Sequence, residues 1–247
     1  MARTIAFSNQ KGGVGKTTSA VNIGAYLAGK DKKVLLIDLD PQANMTKALG
    51  IENPEVTIYG VLLGEQKLQA VPILDNLVLI PCGYGMSSFE RVKGGELDNE
   101  YLLKEVLEPL KKKFDFILID CPPALGLITV NALAAADEVI IPLEAQIFGV
   151  DGLNKVLDIV EKVRKRINTK LTVGGVFFTR YNNRKILSRD TADDLRELLK
   201  NKVLKATIRE NVQLQEAPSL GKDIFSYAPG SPGAKDYAKL SEEIMSM

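Results

Sequence analysis

Residues 11–18 read Lys-Gly-Gly-Val-Gly-Lys-Thr-Thr, and this spacing of glycines, lysines and hydroxyls suits the holding of phosphate groups. Gly12, Gly13 and Gly15 let the backbone bend so that successive N–H groups, Val14 among them, point at one anion. A helical pattern begins at Lys16, and the positive end of that helix faces the same anion. Lys16 is expected to reach the β- and γ-phosphates of a nucleoside triphosphate, and the Thr17 hydroxyl to ligate Mg²⁺, with Thr18 beside it. The common form of this loop has a glycine where Gln10 stands, and Lys11 is an additional lysine at its front. On its own Lys11 reads as a solvated loop lysine. A plain glycine-rich turn is the competing reading of the whole segment. The strand before it, the helix after it and the adjacent Lys-Thr-Thr argue against that.

Acidic residues close two apolar runs. Val34–Asp38 leads into Asp38-Leu39-Asp40-Pro41-Gln42, and the run ending at Ile119 leads into Asp120-Cys121-Pro122-Pro123. In a parallel α/β sheet, ligands gather beyond the carboxyl ends of the strands, where these acids fall. Asp120 is expected to hold Mg²⁺ through a water, and Asp40 to orient the attacking water. The chain has no histidine, which removes imidazole bases and His-ligated metals and leaves carboxylates and lysines for catalysis. Asp38 and Asp40 have a second reading as caps of a helix starting near Ala43.

The 247 residues are 45% hydrophobic and 26% charged, ordinary for a globular protein, and suffice for one large domain over residues 1–247. A net charge of +1 means that any nucleic-acid surface must be local. Met1-Ala2-Arg3 runs directly into a strand pattern, and no apolar run approaches the roughly 20 residues of a membrane span. Cys82 and Cys121 are too few for a disulfide framework. The expected compartment is a reducing cytosol.

These residues need elements to place them. Expected strands are Thr4–Ser8, Val34–Asp38, Leu77–Pro81, Phe114–Asp120, Glu138–Pro142 and Thr172–Thr179. Expected helices are Lys16–Ala28, Glu100–Lys112, Ile128–Ala135, Gly152–Ile167, Ser188–Lys200 and Lys235–Ser246. Strands that are apolar throughout, alternating with helices, predict an α/β fold: a doubly wound, mostly parallel sheet with helices on both faces. Met86–Asn99, polar and glycine-containing, is expected to be a mobile surface loop.

Lys11–Thr18, Asp38–Gln42 and Asp120–Pro123 together resemble the deviant-P-loop ATPases, specifically the ParA/Soj partitioning proteins. The likeness continues through Thr179-Arg180-Tyr181 and Glu216-Ala217-Pro218-Ser219-Leu220-Gly221-Lys222, almost the whole chain. The resemblance implies an ATP-dependent homodimer in which Lys11 crosses to the other subunit's phosphates. It also implies nonspecific binding to double-stranded DNA, nucleoid association and slow hydrolysis stimulated by a ParB-like partner. Related proteins often carry Ile-Pro-Arg-Asn-Val-Arg for DNA, where this chain has Ile208-Arg209-Glu210-Asn211-Val212-Gln213. Glu210 and Gln213 thus replace arginines. The candidate phosphate contacts are Arg184, Lys185, Arg189, Lys200, Lys202, Lys205, Arg209 and Lys222, against the reading of a solvated helix face over Ser188–Lys205.

Three rival readings share the core. A MinD-like membrane ATPase needs a basic amphipathic C-terminal helix, whereas Glu242 and Glu243 flank the apolar stripe Tyr237, Leu240 and Ile244. A protein resembling nitrogenase iron protein needs accessible thiolates, and Cys121 falls inside the phosphate-side segment. A scaffold that positions a protein cargo would have the same ATPase core.

Overall fold

The computed structural model describes residues 1–145 and 149–247. Among the described residues the strands are β1 (Arg3–Phe7), β2 (Val34–Asp38), β3 (Val71–Leu74), β4 (Leu77–Ile80), β5 (Phe116–Asp120), β6 (Glu138–Glu144), β7 (Thr172–Tyr181) and β8 (Val203–Arg209). They form one sheet in the order β3-β4-β2-β5-β1-β6-β7-β8, with every neighbouring pair parallel except β3–β4. The helices are α1 (Lys16–Ala28), α2 (Asn44–Ala48), α3 (Ile58–Leu62), α4 (Phe89–Lys93), α5 (Leu102–Leu107), α6 (Leu127–Ala135), α7 (Gly149–Arg166), α8 (Ile186–Leu199), α9 (Gln213–Glu216), α10 (Ile224–Tyr227) and α11 (Pro232–Ser246).

Side chains of a strand alternate between faces, and here both faces are apolar. Leu35, Ile37, Ile117 and Ile119 pack on one side with α5, α6, α7 and α8. Leu36, Leu118, Phe7 and Phe177 pack on the other with α1 and with Tyr237, Leu240 and Ile244 of α11. The doubly wound sheet expected from the sequence is therefore present. Its register aligns Phe7 with Asp120 and Asp38 with Asp120, so the loop after β1 and both acids leave the sheet at one level.

The differences have local causes. Neither edge strand, β3 or β8, is among the strands expected from the sequence. β3 contains Pro72, which suits an edge, where its missing donor is not needed. β8 was expected to continue a helical lysine face, but α8 stops at Leu199 and Lys200 turns the chain at φ 49°. The helix expected over Glu100–Lys112 is α5 followed by a 3₁₀ turn at Glu108–Leu110, because Pro109 lacks the N–H that an α-helix uses. Met86–Asn99 is not a free loop at its start. Met86 and Phe89 are fully buried, anchoring a 3₁₀ turn and α4.

Phe177 is fully buried on the α11 side of the sheet. Phe177→Ala is expected to cost about 3–5 kcal/mol, through lost burial and the cavity left behind, as read by urea unfolding with an unchanged m-value.

Candidate active site

The loop after β1 is held from both ends. Buried Asn9 donates from Nδ2 to the Pro142 carbonyl at 2.7 Å and accepts the Lys11 N–H on Oδ1 at 3.0 Å, pinning the loop to the end of β6. At its far end the Thr179 hydroxyl donates to the Val14 carbonyl at 2.9 Å, joining the loop to β7. Between these anchors Gly13 and Gly15 have φ of 72° and 90°, a region where a Cβ brings strain. Gly15 is the N-cap of α1, and among the described residues it supplies no side-chain cap to that helix. An uncapped helix start of this kind presents its first N–H groups as a potential anion site.

Lys16 is 94% buried, and its Nζ lies 3.4 Å from the Lys11 carbonyl, folded over the loop. The Thr17 hydroxyl donates to Asp120 Oδ2 at 2.6 Å. Asp120 is wholly buried, and its Oδ1 finds no hydrogen-bond partner among the described residues. Burial, reinforced by the neighbouring Asp38, pushes its carboxyl well above the usual range. An orphaned carboxylate oxygen behind a threonine hydroxyl, beside a phosphate loop, fits a hydrated Mg²⁺. That ion takes few protein ligands and keeps its waters.

Asp38 is also fully buried but already engaged. Its Oδ2 accepts from the Thr46 amide at 2.9 Å and the Thr46 hydroxyl at 2.7 Å, and its Oδ1 accepts from the Asp40 amide at 3.1 Å. Burial raises its pKa to about 6, against the lowering effect of those hydrogen bonds. Asp38 therefore ties the end of β2 to α2, close to the capping reading. Asp40 differs. Its Oδ1 accepts from the Gln42 amide at 3.0 Å, and the residue lines the same cavity as Lys16 and Thr17.

Glu144, at the end of β6, was not singled out from the sequence. Its carboxylate is nearly buried and bridges two cations, Lys11 Nζ at 2.6 Å and Arg180 Nη1 at 3.1 Å. The signal was available, since Glu144 stands at the carboxyl end of a central parallel strand. Arg180 holds φ 48°, an uncommon conformation for a bulky residue.

A cavity of about 410 Å³ runs from Gly13–Thr18 past Asp40 to Ile208–Asn211, Gln215 and Pro218. Thr179 and Arg180, beside the loop, and Ile208–Asn211 also line it. Asn211 Oδ1 there is buried without a hydrogen-bond partner among the described residues.

The basic candidates divide. Arg209 makes a bidentate pair with Asp236, Nε at 2.9 Å and Nη2 at 2.8 Å, and both Arg209 and Lys222 line the cavity. Lys202 Nζ donates to the Val173 carbonyl at 2.8 Å. Arg184 and Lys185 lie in the β7–α8 connection, Arg189 on α8, Lys200 before β8 and Lys205 on it, all exposed. Cys82 and Cys121 are buried and their thiols pushed up by that burial, which denies them the thiolate character that cluster ligation uses. Among the described residues no helix is long and apolar enough to cross a membrane.

Comparison with known proteins identifies the family. A family model described as an AAA domain matches residues 2–173. The chain is 45% identical to the chromosome-partitioning ATPase Soj of Treponema pallidum, covering 99% of this chain and 98% of that protein. It is 40% identical to the chromosome partitioning protein ParA of Caulobacter vibrioides, covering 99% and 94%. Among solved structures, cobyrinic acid a,c-diamide synthase from Mycobacterium smegmatis with bound ADP and magnesium superposes with a TM-score of 0.86 at 32% identity, covering 98% of this chain and 93% of that one. With 45% and 40% identity to Soj and ParA over nearly the full length, and a glycine-rich loop beside buried acids at the carboxyl ends of central strands, this chain belongs to the ParA/Soj family of partitioning ATPases.

Proposed function

We propose that this protein is a Mg²⁺-dependent ATPase that dimerises on ATP, binds DNA without sequence preference and lets go on hydrolysis, acting in DNA partitioning. The observation that carries the nucleotide part is the Thr17–Asp120 pair, with its orphaned Oδ1, set against the Gly13–Thr18 loop. The triphosphate would lie on the loop N–H groups and the base at the Ile208–Pro218 end of the cavity. Mg²⁺, when bound, neutralises charge on the β- and γ-phosphate oxygens. Thr17 would ligate it directly, and Asp120 would hold one of its waters. Lys16 balances the β- and γ-phosphates from within the loop. Asp40 orients the attacking water with the carboxylate oxygen that Gln42 does not use.

Lys11 supports the dimer reading. In the single chain it is held by Glu144 at the loop's edge, and in the dimer it would reach the second copy's phosphates. For DNA, the exposed Arg184, Lys185, Arg189, Lys200 and Lys205 form the set best placed to meet phosphates. Arg209, Lys202 and Lys222 have other partners or line the cavity. A ParB-like protein would speed hydrolysis and so release the DNA. Nothing in this reading requires a membrane, and the site of action would be the nucleoid in the cytoplasm.

Lys16→Ala is expected to abolish ATP binding, and calorimetric affinity equal to that of the parent would remove the loop assignment. Asp40→Ala is expected to bind ATP but to turn over about 10²–10⁴-fold more slowly, the usual contribution of a positioned acid or base. The same variant, trapped with ATP, tests the DNA reading by co-sedimentation. Pelleting should occur with ATP and not with ADP, and log affinity should fall with log salt by about 0.9 per phosphate contacted. Equal pelleting without nucleotide, or a flat salt response, would refute it. Lys11→Ala is expected to keep nucleotide binding and lose the ATP dimer, and an unchanged dimer in light scattering would rule out its role across the interface.

A further inference from the structure

Ser19 lies inside α1, fully buried, with Oγ 2.6 Å from the Gly15 carbonyl oxygen and 3.0 Å from the Tyr237 hydroxyl of α11. A carbonyl cannot donate, so the single Ser19 hydroxyl proton is committed to Gly15. The Tyr237 hydroxyl must then be the donor to Ser19 Oγ. Burial pushes the Tyr237 hydroxyl above its ordinary value, which keeps that proton in place. The direction of the chain is therefore fixed: Tyr237 to Ser19 to the Gly15 carbonyl.

That carbonyl also accepts the Ser19 amide at 2.9 Å. It is one half of the Gly15–Lys16 peptide, whose other half is the Lys16 N–H at the uncapped start of α1. Two donors on the carbonyl polarise the peptide and strengthen the N–H on its opposite side, since linked hydrogen bonds reinforce one another in a low-dielectric setting. Resting on the nucleotide reading above, we infer that Tyr237 and Ser19 are positioning residues. Their relay from the C-terminal helix fixes and polarises the Gly15–Lys16 peptide for a nucleotide phosphate. The competing role for Tyr237 is packing alone, its ring filling the core beside Leu240 and Phe177.

Tyr237→Phe keeps the ring and removes only the hydroxyl. ATP affinity of this variant is expected to fall by up to about twofold, because losing one linked bond weakens the Lys16 N–H without removing it. Ser19→Ala, a change that a helix interior accepts, should lower affinity at least as much. The double variant should bind no more weakly than Ser19→Ala, because one break already silences the relay. Calorimetric titration of the parent and all three variants, with urea unfolding in parallel, separates binding from stability. Parental affinity in Tyr237→Phe or in Ser19→Ala would overturn the inference. A further loss in the double variant, beyond that of Ser19→Ala, would also overturn it, since independent packing effects add. Failure of the parent itself to bind ATP would instead remove the nucleotide reading.

Discussion

A carboxylate wholly withdrawn from water sits at the middle of the sheet, on Asp120, and the surrounding structure answers its charge. One oxygen accepts a hydrogen bond from the Thr17 hydroxyl, while the other has no partner among the described residues. A second buried acid, Asp38, lies beside it in register and raises the cost of ionisation. Such an arrangement is expensive for folding alone, because a buried anion without a cation is among the costlier things a core can hold. It becomes reasonable where a divalent ion and the lysine of a phosphate loop meet it. The acids and the loop leave neighbouring strands at one level, so the sheet itself brings the opposing charges together.

Around that centre, polar side chains turn a flexible glycine loop into a fixed shape. Asn9 ties the loop to β6, and Thr179 ties it to β7. Glu144 collects Lys11 and Arg180 at the rim. These anchors come from β6 and β7, the next two strands on one side of β1, so the loop's position depends on the pairing of β1, β6 and β7. On the helical side, α11 reaches both ends of the cavity from consecutive residues. Asp236 holds Arg209, and Tyr237 meets Ser19. The last helix is thus part of the site's frame as well as of the core.

The central strands were legible because a strand buried on both faces reads as an unbroken apolar run, as in Leu35-Leu36-Ile37 and Ile117-Leu118-Ile119. Edge strands carry a weaker signal. Val71–Leu74 contains a proline, and Val203–Arg209 mixes exposed and buried positions after a lysine-rich turn, so neither looks like a core strand from its composition. The loop glycines and lysines were legible for a related reason: they are contiguous, so their spacing along the chain is their spacing around the loop. Glu144 and Tyr237 are far from the loop in sequence, and Asn9 and Ser19, though near it, have ordinary local readings as loop and helix residues.

The sequence by itself determined the layered fold, the phosphate loop and the three acids at the neighbouring strand ends, because each is encoded in contiguous residues with a fixed period or spacing. Only the tertiary structure decided how those acids divide. It left Asp120 open on one oxygen, tied Asp38 to Thr46 and placed Asp40 on the cavity wall. It likewise decided which basic residues are held by a distant partner, as with Arg209 against Asp236. The physical reason is that periodicity reports burial and spacing reports local geometry, whereas the partner of a polar group depends on which distant segments the sheet order brings into reach.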